Sequence, residues 1–536
     1  MFSRNRKRTL ALLLVAIMIL GVLSACNNDS ANPSSSAPGS SPSARPTDPA
    51  LWPTLTIATT EFWADNVSYQ DDLPILRQVQ EDLGINIVWE SLGWEQYMQS
   101  MQTRLAAGRD LPDIIRVPGS ISDNIKYAQQ GLLISMTNLI NETNTPDMLR
   151  LFEQYPEMRK SLVTPDGEIY FIGNYAHSKP NAMGILYRKD WLDALGMDVP
   201  KTTADWYAFM KGMKENDLNG QGAGTIIPFG SQNLHVFITG FGLPFVAVNL
   251  YYSYDENGKV LFNSMQPGYK EWLAYCNSLY EAGFLDPMFG AGQSQIAELE
   301  KQNLVGVFAE NPGAADQKES VLKSLGFDDA DVRWEFPPAD PNGNVRWAPG
   351  PLMRNSTRLS ITKDCKDPAL AMRFLNYGWA NPEGNRLWLF GIEGEHYTMG
   401  SNGMPVYSED MISHPQYALG IRIRQIGGYD FYDLQSLEWN VVRTVGRFAE
   451  ILNYIETKPQ YYYPSMPQLI PTDEESDVVA ELSPDITSYI DEMTSRFITG
   501  REPISNFDSF VEKLKGLGIE SLIDVYQAMY DRYNNS

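Results

Sequence analysis

The segments Leu55-Thr56-Ile57-Ala58-Thr59-Thr60, Ile85-Asn86-Ile87-Val88-Trp89 and Asp113-Ile114-Ile115-Arg116-Val117 decide the fold. Each is a short apolar run of strand length, rich in β-branched residues. Between the first two, the spacing predicts a helix over 72–83, with Leu73, Leu76, Val79 and Leu83 on one face and Gly84 as its stop. Between the second and third, 95–107 reads as a helix ended by Gly108. Strand, helix, strand, helix, strand predicts a parallel sheet with right-handed crossovers. Ligands bind beyond the carboxyl ends of such strands. The segment Glu61-Phe62-Trp63, just after the first strand, is therefore expected to rim a site.

A second α/β region begins near residue 180. Gly184-Ile185-Leu186-Tyr187-Arg188 is a strand, and 190–195 a short helix closed by Gly196. Thr202, followed by Asp205, opens another helix with nearly a capping box. A strand is expected over 170–172, and helices over 367–377, 507–517 and 521–533. No fixed-period repeat is present.

The flanks are an address. Residues 1–25 hold Arg4, Arg6, Lys7 and Arg8 and no acid, followed by an apolar run over 10–23. That run is shorter than the roughly 20 residues a spanning helix needs. Basic, apolar, then small residues is the order of an export signal. The run ends Leu23-Ser24-Ala25-Cys26, which resembles a lipoprotein lipobox, so 1–25 is read as a signal peptide and Cys26 as the lipidated first residue. The alternative is an ordinary signal with an incidental cysteine. The Ser/Pro/Asn-rich stretch 26–52 cannot bury enough apolar surface to fold. It reads as a tether spanning roughly 25–30 Å.

The chain has 536 residues and a net charge of −24. Without the four basic residues of the signal, 38 basic residues face 66 acidic, a charge of −28. Such acidity argues against a nucleic-acid partner. Three cysteines exclude a disulfide framework, and four scattered histidines argue against a histidine metal site.

Five segments together resemble the extracellular solute-binding proteins (family 1, lipoprotein type) of ABC oligosaccharide importers. They are Glu95-Gln96-Tyr97 through Leu105-Ala106-Ala107-Gly108-Arg109-Asp110-Leu111-Pro112-Asp113-Ile114; Pro165-Asp166-Gly167-Glu168-Ile169-Tyr170; Tyr187-Arg188-Lys189-Asp190-Trp191-Leu192-Asp193-Ala194-Leu195-Gly196; Cys365-Lys366-Asp367-Pro368-Ala369-Leu370-Ala371-Met372-Arg373-Phe374-Leu375-Asn376-Tyr377; and Gly391-Ile392-Glu393-Gly394-Glu395-His396-Tyr397. The resemblance implies a periplasmic-binding-protein-like (type 2) fold, two α/β lobes joined by a multi-strand hinge with the ligand cleft between them. By analogy the first lobe takes 53–178 plus 345–392, and the second takes 179–344 plus 393–536. It also implies a non-enzymatic monomer on the outer face of the cell membrane of a Gram-positive bacterium. Its partners would be an oligosaccharide, the membrane through a lipid anchor, and permease subunits served by a cytoplasmic ATPase. Two alternatives are a tethered carbohydrate-active enzyme and a same-fold binding protein for peptides or for a sensor kinase.

A sugar presents C–H faces to aromatic rings and hydroxyls to paired polar groups. The expected ligand-binding residues are therefore aromatics beside polar side chains in loops. These are Glu61 and Trp63; Asn174, Tyr175 and His177; Asn233 and His235; Arg346, Trp347 and Arg354; Glu393, Glu395 and Tyr397; and Glu438 and Trp439. Arg346, Arg354 and Lys179 would suit uronate carboxylates, unless they are plain surface cations. Trp191 and Trp206, at helical positions, are expected in the core. The histidines lack a neighbouring nucleophile or orienting acid, so they are read as structural. Glu393 and Glu395 would suit glycoside hydrolysis only at the right separation.

Asp217, Asn219, Gln221 and Gly222 fit positions 1, 3, 5 and 6 of an EF-hand-like loop, a segment where some relatives bind calcium. Thr225 and Ile226 stand where acids are needed, so no cofactor is expected. The run Gly220-Gln221-Gly222-Ala223-Gly224 follows no strand and is discounted as a dinucleotide fingerprint. Cys276 and Cys365 are expected as free thiols in different lobes.

Overall fold

The computed structural model describes residues 48–62, 64, 66–177, 183–246, 251–290, 294–414, 416–417, 419–442 and 447–536. The expected signal peptide, Cys26, most of the tether, Trp63 and Lys179 lie outside the described residues. Residues 48–536 form one compact unit.

In chain order the strands are β1 (Thr54–Thr60), β2 (Asn86–Leu92), β3 (Ile114–Arg116), β4 (Ile172–Tyr175), β5 (Gly184–Arg188), β6 (Ile227–Phe229) and β7 (Phe245–Val246). They continue as β8 (Tyr252–Tyr254), β9 (Val260–Phe262), β10 (Val305–Glu310), β11 (Val332–Glu335), β12 (Trp347–Ala348) and β13 (Met353–Ile361). A first sheet runs β2-β1-β3-β13-β4 and a second β11-β5-β10-β6. As the sequence predicts, β1 pairs parallel to β2 and β3. The sheet is nevertheless mixed, because β13 arrives from the other sheet and pairs antiparallel to β3 and β4.

Local chemistry sets the boundaries. The first long helix is Pro74–Leu83 and not 72–83, because proline belongs in a first helical turn. Gly84 closes it at φ 66°. The next helix, Trp94–Ala107, starts one residue before the expected site and ends at Gly108. Thr202 and Asp205 complete their capping box. The helices Pro368–Trp379, Phe507–Gly516 and Ile519–Asn535 lie where expected. β4 begins later than expected. Asn174 and Tyr175 are therefore strand residues, buried on both faces, and not part of a following loop.

Two large apolar cores result. One surrounds the first sheet and holds Ile57, Ile75, Phe171, Trp379 and Phe431. The other surrounds the second and holds Trp191, Trp206, Phe229, Trp272 and Ile490. Trp191 and Trp206 are core residues, as their helical spacing predicts. Membership of the cores differs from the expected lobe boundaries in two places. Tyr397, Tyr407, Ile423, Tyr432 and Trp439 pack in the first core, where the sequence reading assigns 393–442 to the second lobe. Val345 and Trp347, assigned to the first lobe, pack in the second core. Cys276 lies in the second core and Cys365 packs against the first, both as free thiols. Burial pushes both thiols up, that of Cys365 to about 12.

Candidate functional site

The chain crosses between the cores in several places, and the first two crossings are laced together. Ala176 N donates to Leu352 O (2.9 Å), joining the segment after β4 to the segment before β13. His177 N donates to Gln435 O (2.9 Å) and Gln435 N to Tyr175 O (3.0 Å). Trp347 Nε1 donates to Met183 O (2.7 Å). These bonds tie the crossing segments side by side as a hinge.

At the carboxyl ends of the first-sheet strands, charged and aromatic side chains gather. Arg116 ends β3. Its guanidinium donates to Thr60 Oγ1 (3.1 Å) and Thr357 Oγ1 (2.8 Å) and lies 5.4 Å from the Trp94 ring centroid. Trp94, just after β2, is 46% exposed, a half-exposed ring next to a fixed cation. Asp433 accepts from Asn174 Nδ2 (3.0 Å). Burial raises its pKa, against the pull of Arg116 and Arg354 and a hydrogen bond with Tyr429. Asn174 Oδ1 in turn accepts from Ser356 N (2.8 Å) and Thr357 N (3.0 Å), tying β4 to β13.

The loop that carries Asp433 is conformationally strained. Tyr429 has φ 73° and Asp433 φ 49°. Such left-handed backbone costs a bulky residue on the order of 1–2 kcal/mol, and persists only where neighbours hold it. Here Trp439 stacks on Tyr429 (4.9 Å, 21°), while Arg424 lies 5.1 Å from the Tyr429 ring and pairs with Asp430 (2.8 Å). Beside them, Glu61 Oε1 accepts from Ser91 Oγ (2.6 Å) and Ser68 Oγ (2.7 Å). Among the described residues Glu61 Oε2, Tyr69 Oη and Trp89 Nε1 are buried without a hydrogen-bond partner. Buried polar atoms without partners are uncommon, and cluster where a ligand or water completes them.

The helix Leu437–Val442 joins this cluster to the second lobe. Its Trp439 stacks on Tyr429, and the next residue, Asn440, donates to His177 O (3.2 Å) on the hinge. Asn440 also lines a cavity of about 420 Å³ at the carboxyl end of β10, walled by Phe308, Glu310, Asn311, Lys318 and Phe448. Lys318 sits over the Phe308 ring (4.3 Å) and pairs with Glu300 (2.9 Å). The two halves offer flat rings, carboxylates, guanidinium groups and amides. That set offers stacking faces and hydrogen-bonding groups to a hydroxyl-rich ligand.

The structure brings together Glu61, Asn174, His177, Arg354 and Trp439 among the residues expected from sequence. Tyr175 is beside them but packs its ring edge-on against Trp379 (5.4 Å), inside the core. Trp347 is fully buried in the second core, stacked with Tyr462, so no ligand ring reaches it. Asn233 caps the 3-10 helix Leu234–Phe241. Glu438 pairs with Arg386 (2.9 Å), and Glu393 and Tyr397 feel the same cation. Glu393 and Glu395 lie in a tight turn closed by Gly394 N on Tyr397 O (2.7 Å), not on a strand. Trp94, Arg116, Tyr429, Asp430 and Asp433 escaped the sequence reading. Only Trp94, a tryptophan directly after a strand and a glycine, carried a signal of the kind used for Trp63.

His235 stacks on Trp272 (4.5 Å), and burial pushes its pKa from 6.5 down to about 4. Between those values the unfolded chain binds the proton and the folded chain does not. Stability therefore falls as pH drops from about 6.5 to about 4, by roughly 2–3 kcal/mol. Urea unfolding across that range should show this slope, and His235→Phe should flatten it. An unchanged slope in the variant would place the effect elsewhere.

The EF-hand-like loop spends its oxygens on itself. Asp217 Oδ1 accepts from Gly222 N (2.9 Å) and Asn219 Oδ1 from Gln221 N (3.1 Å). Gln221 Nε2 donates to Gln302 O (2.7 Å) and Asn219 Nδ2 to Asn303 O (3.2 Å). One carboxylate with an oxygen already engaged does not fit calcium, which takes six to eight oxygens. Calcium should leave the melting temperature unchanged. A ligand of the folded state at about 100 times its Kd would add about 2.7 kcal/mol, so a clear rise on adding calcium would contradict this reading.

Two α/β lobes, each with its own sheet and apolar core and joined by paired crossing segments, define a two-lobed α/β fold. The chain belongs to the bacterial extracellular solute-binding protein family, whose model matches residues 68–381. It is therefore a binding protein and not an enzyme. It is 24% identical over 496 residues to the fructooligosaccharide ABC transporter substrate-binding protein FusA of Streptococcus pneumoniae serotype 4, covering 86% of this chain and 87% of that one. It is 23% identical over 447 residues to the polygalacturonan/rhamnogalacturonan-binding protein YtcQ of Bacillus subtilis, covering 80% and 82%. The crystal structure of an extracellular solute-binding protein from Bifidobacterium longum subsp. infantis superposes with a TM-score of 0.71, at 18% identity, over 90% of this chain and 98% of that one.

Proposed function

We propose that this chain captures an oligosaccharide outside the cell and hands it to the permease of an ABC importer, held to the membrane through a lipid on Cys26. The observation that carries this reading is the cluster of Trp94, Arg116, Tyr429 and Asp433 at the strand ends beside the hinge. Rings and charged hydrogen-bonding groups are fixed there before any ligand arrives. Closure of the lobes would bring the cavity at the end of β10 over a sugar lying on Trp94. A permease then distinguishes loaded from empty receptor by the differential contacts of the closed form. The sugars in the names of FusA and YtcQ support a carbohydrate ligand, neutral in one and acidic in the other.

The test is calorimetric titration of the purified chain with kestose, maltotriose, trigalacturonate and an unrelated tripeptide. A saturable signal with one of the sugars and none with the peptide supports the reading. A signal with the peptide alone overturns it. Release of smaller sugars from the bound trisaccharide would overturn the assignment as a receptor.

A further inference from the structure

A cavity of about 820 Å³ opens on the second lobe, lined by Tyr254, Asp255, Arg346, Tyr463 and Tyr530 among others. All of its walls belong to the second lobe: the β8–β9 hairpin, the residue before β12, the segment after Tyr462, and the last helix. None is shared with the cluster on the first sheet, and the cavity needs no lobe closure to be complete.

The rings here are fixed. Tyr463 N donates to Trp347 O (2.8 Å) and its hydroxyl to Tyr254 O (2.6 Å). Trp347 and Tyr462 stack into the core, and their neighbours Arg346 and Tyr463 line the cavity. Tyr254 and Tyr530 lie with ring centroids 4.7 Å apart. The hairpin turn at Gly258 (φ 79°) comes so close to Tyr530 that an added Cβ would sit 3.6 Å from its ring. Arg346 hydrogen-bonds with the Tyr463 side chain and is otherwise held loosely by charge. Its Nη2 reaches Asp340 only at 4.0 Å, its guanidinium lies 6.0 Å from the Tyr463 ring, and its Nε has no hydrogen-bond partner among the described residues. Asp340 is already satisfied by Asn342 N (2.8 Å) and Asn344 N (2.9 Å), so it leaves guanidinium capacity over. Asp255 Oδ1 accepts from Asn257 N and Lys259 N (both 2.9 Å). Among the described residues no hydrogen bond occupies its Oδ2.

A cation with donors to spare and a carboxylate with an acceptor to spare, beside fixed aromatic faces, match vicinal hydroxyls on a sugar ring. One hydroxyl accepts from Arg346, its neighbour donates to Asp255, and the C–H face lies on tyrosine. Asp255 and Glu256 line the rim and buried Asp340 stands 4.0 Å from Arg346, so a ligand carboxylate would be repelled. We propose that this cavity is a second carbohydrate site, selective for a neutral sugar unit, which holds part of a chain on the open second lobe independently of the cleft. This rests on the reading of the chain as a sugar receptor.

The test labels the full chain with 3-fluorotyrosine and assigns the Tyr254, Tyr463 and Tyr530 fluorine resonances by single Tyr→Phe variants. Kestose, maltotriose and trigalacturonate are then titrated, with calorimetry in parallel. A neutral trisaccharide should shift these resonances, Arg346→Gln should weaken that response about tenfold, and Arg116→Ala should leave it in place. No shift with either neutral sugar, or a shift with trigalacturonate alone, overturns the second site. Loss of the shifts in Arg116→Ala would show that they report the cleft and would also overturn it. If calorimetry registers binding while the tyrosines stay silent, only the second site falls. If both are silent, the receptor reading falls with it.

Discussion

Arg116→Ala should weaken oligosaccharide binding in the cleft by roughly 30- to 5,000-fold. Arg116 is buried to 9% exposure at the end of β3, and its guanidinium is the hub of the first-lobe site. It fixes Thr60 and Thr357, backs the face of Trp94, and helps keep Asp433 charged against burial. Removing it takes away a cation that desolvated carboxylates depend on, and frees the Trp94 ring. Truncating one member of such a buried charged network costs about 2–5 kcal/mol of binding, or roughly 30- to 5,000-fold in Kd. Arg116→Lys keeps the charge but not the fork, and should recover only part of the loss. Calorimetry against the best of the titrated sugars measures both, with circular dichroism confirming that each variant is folded. Unchanged affinity in a folded Arg116→Ala chain would place the ligand elsewhere.

The second large effect is on stability. Arg188→Ala should destabilise the second lobe by about 3–5 kcal/mol. The Arg188 side chain is 3% exposed and pairs with Asp190 through Nη2 (2.5 Å) and Nε (2.8 Å). It also donates to Asn303 and lies over the Trp191 ring at 4.2 Å. Alanine leaves Asp190 without its counter-charge and the Trp191 face uncovered. Double replacement by Arg188→Met and Asp190→Leu removes both charges and should cost much less, because no charge is stranded. Urea unfolding followed by tryptophan fluorescence reads the difference. A loss below about 1 kcal/mol in Arg188→Ala would show that the pair is idle.

This pair also explains why the segment Tyr187-Arg188-Lys189-Asp190-Trp191-Leu192 is so specific as a sequence signal. It records a packing unit: a strand end, an ion pair at the start of a helix, and a tryptophan under the guanidinium. Features of this kind are local in sequence, so they were legible. The same holds for β1 to β3, the two helices between them, the capping box at Thr202 and the core positions of Trp191 and Trp206. The order of the lobes was legible only by resemblance, and its boundaries failed where the chain returns. Nothing local in 393–442 tells that its apolar side chains meet Ile75 and Trp89 and not the second core.

The site was half legible for a related reason. Glu61, Asn174, His177, Arg354 and Trp439 fall beside the proposed site, because polar or aromatic residues near strand ends were the ones suspected. Trp347 met the same criterion and is core, since the side on which a strand residue points is set by its partner strand, here β7. Arg116 was missed because an arginine inside an apolar strand reads as an interruption. Its role depends on Trp94, Thr60, Thr357 and Asp433, which lie up to hundreds of positions apart in sequence. Tyr429 was missed because positive φ at a bulky aromatic residue has no sequence signature, and Asp433 because the preference of Asp for that conformation does not say which of many aspartates adopts it.

In the proposed function, the strand-end cluster and the cavity at β10 close on a sugar. The most direct measurement is calorimetric titration of kestose, maltotriose and trigalacturonate into the purified chain and its Trp94→Ala variant. A saturable sugar signal that weakens at least about tenfold in the variant, with no change in melting temperature, is the predicted result. Sugar binding that is indifferent to Trp94, or no sugar binding at all beside a clear peptide signal, would contradict the account.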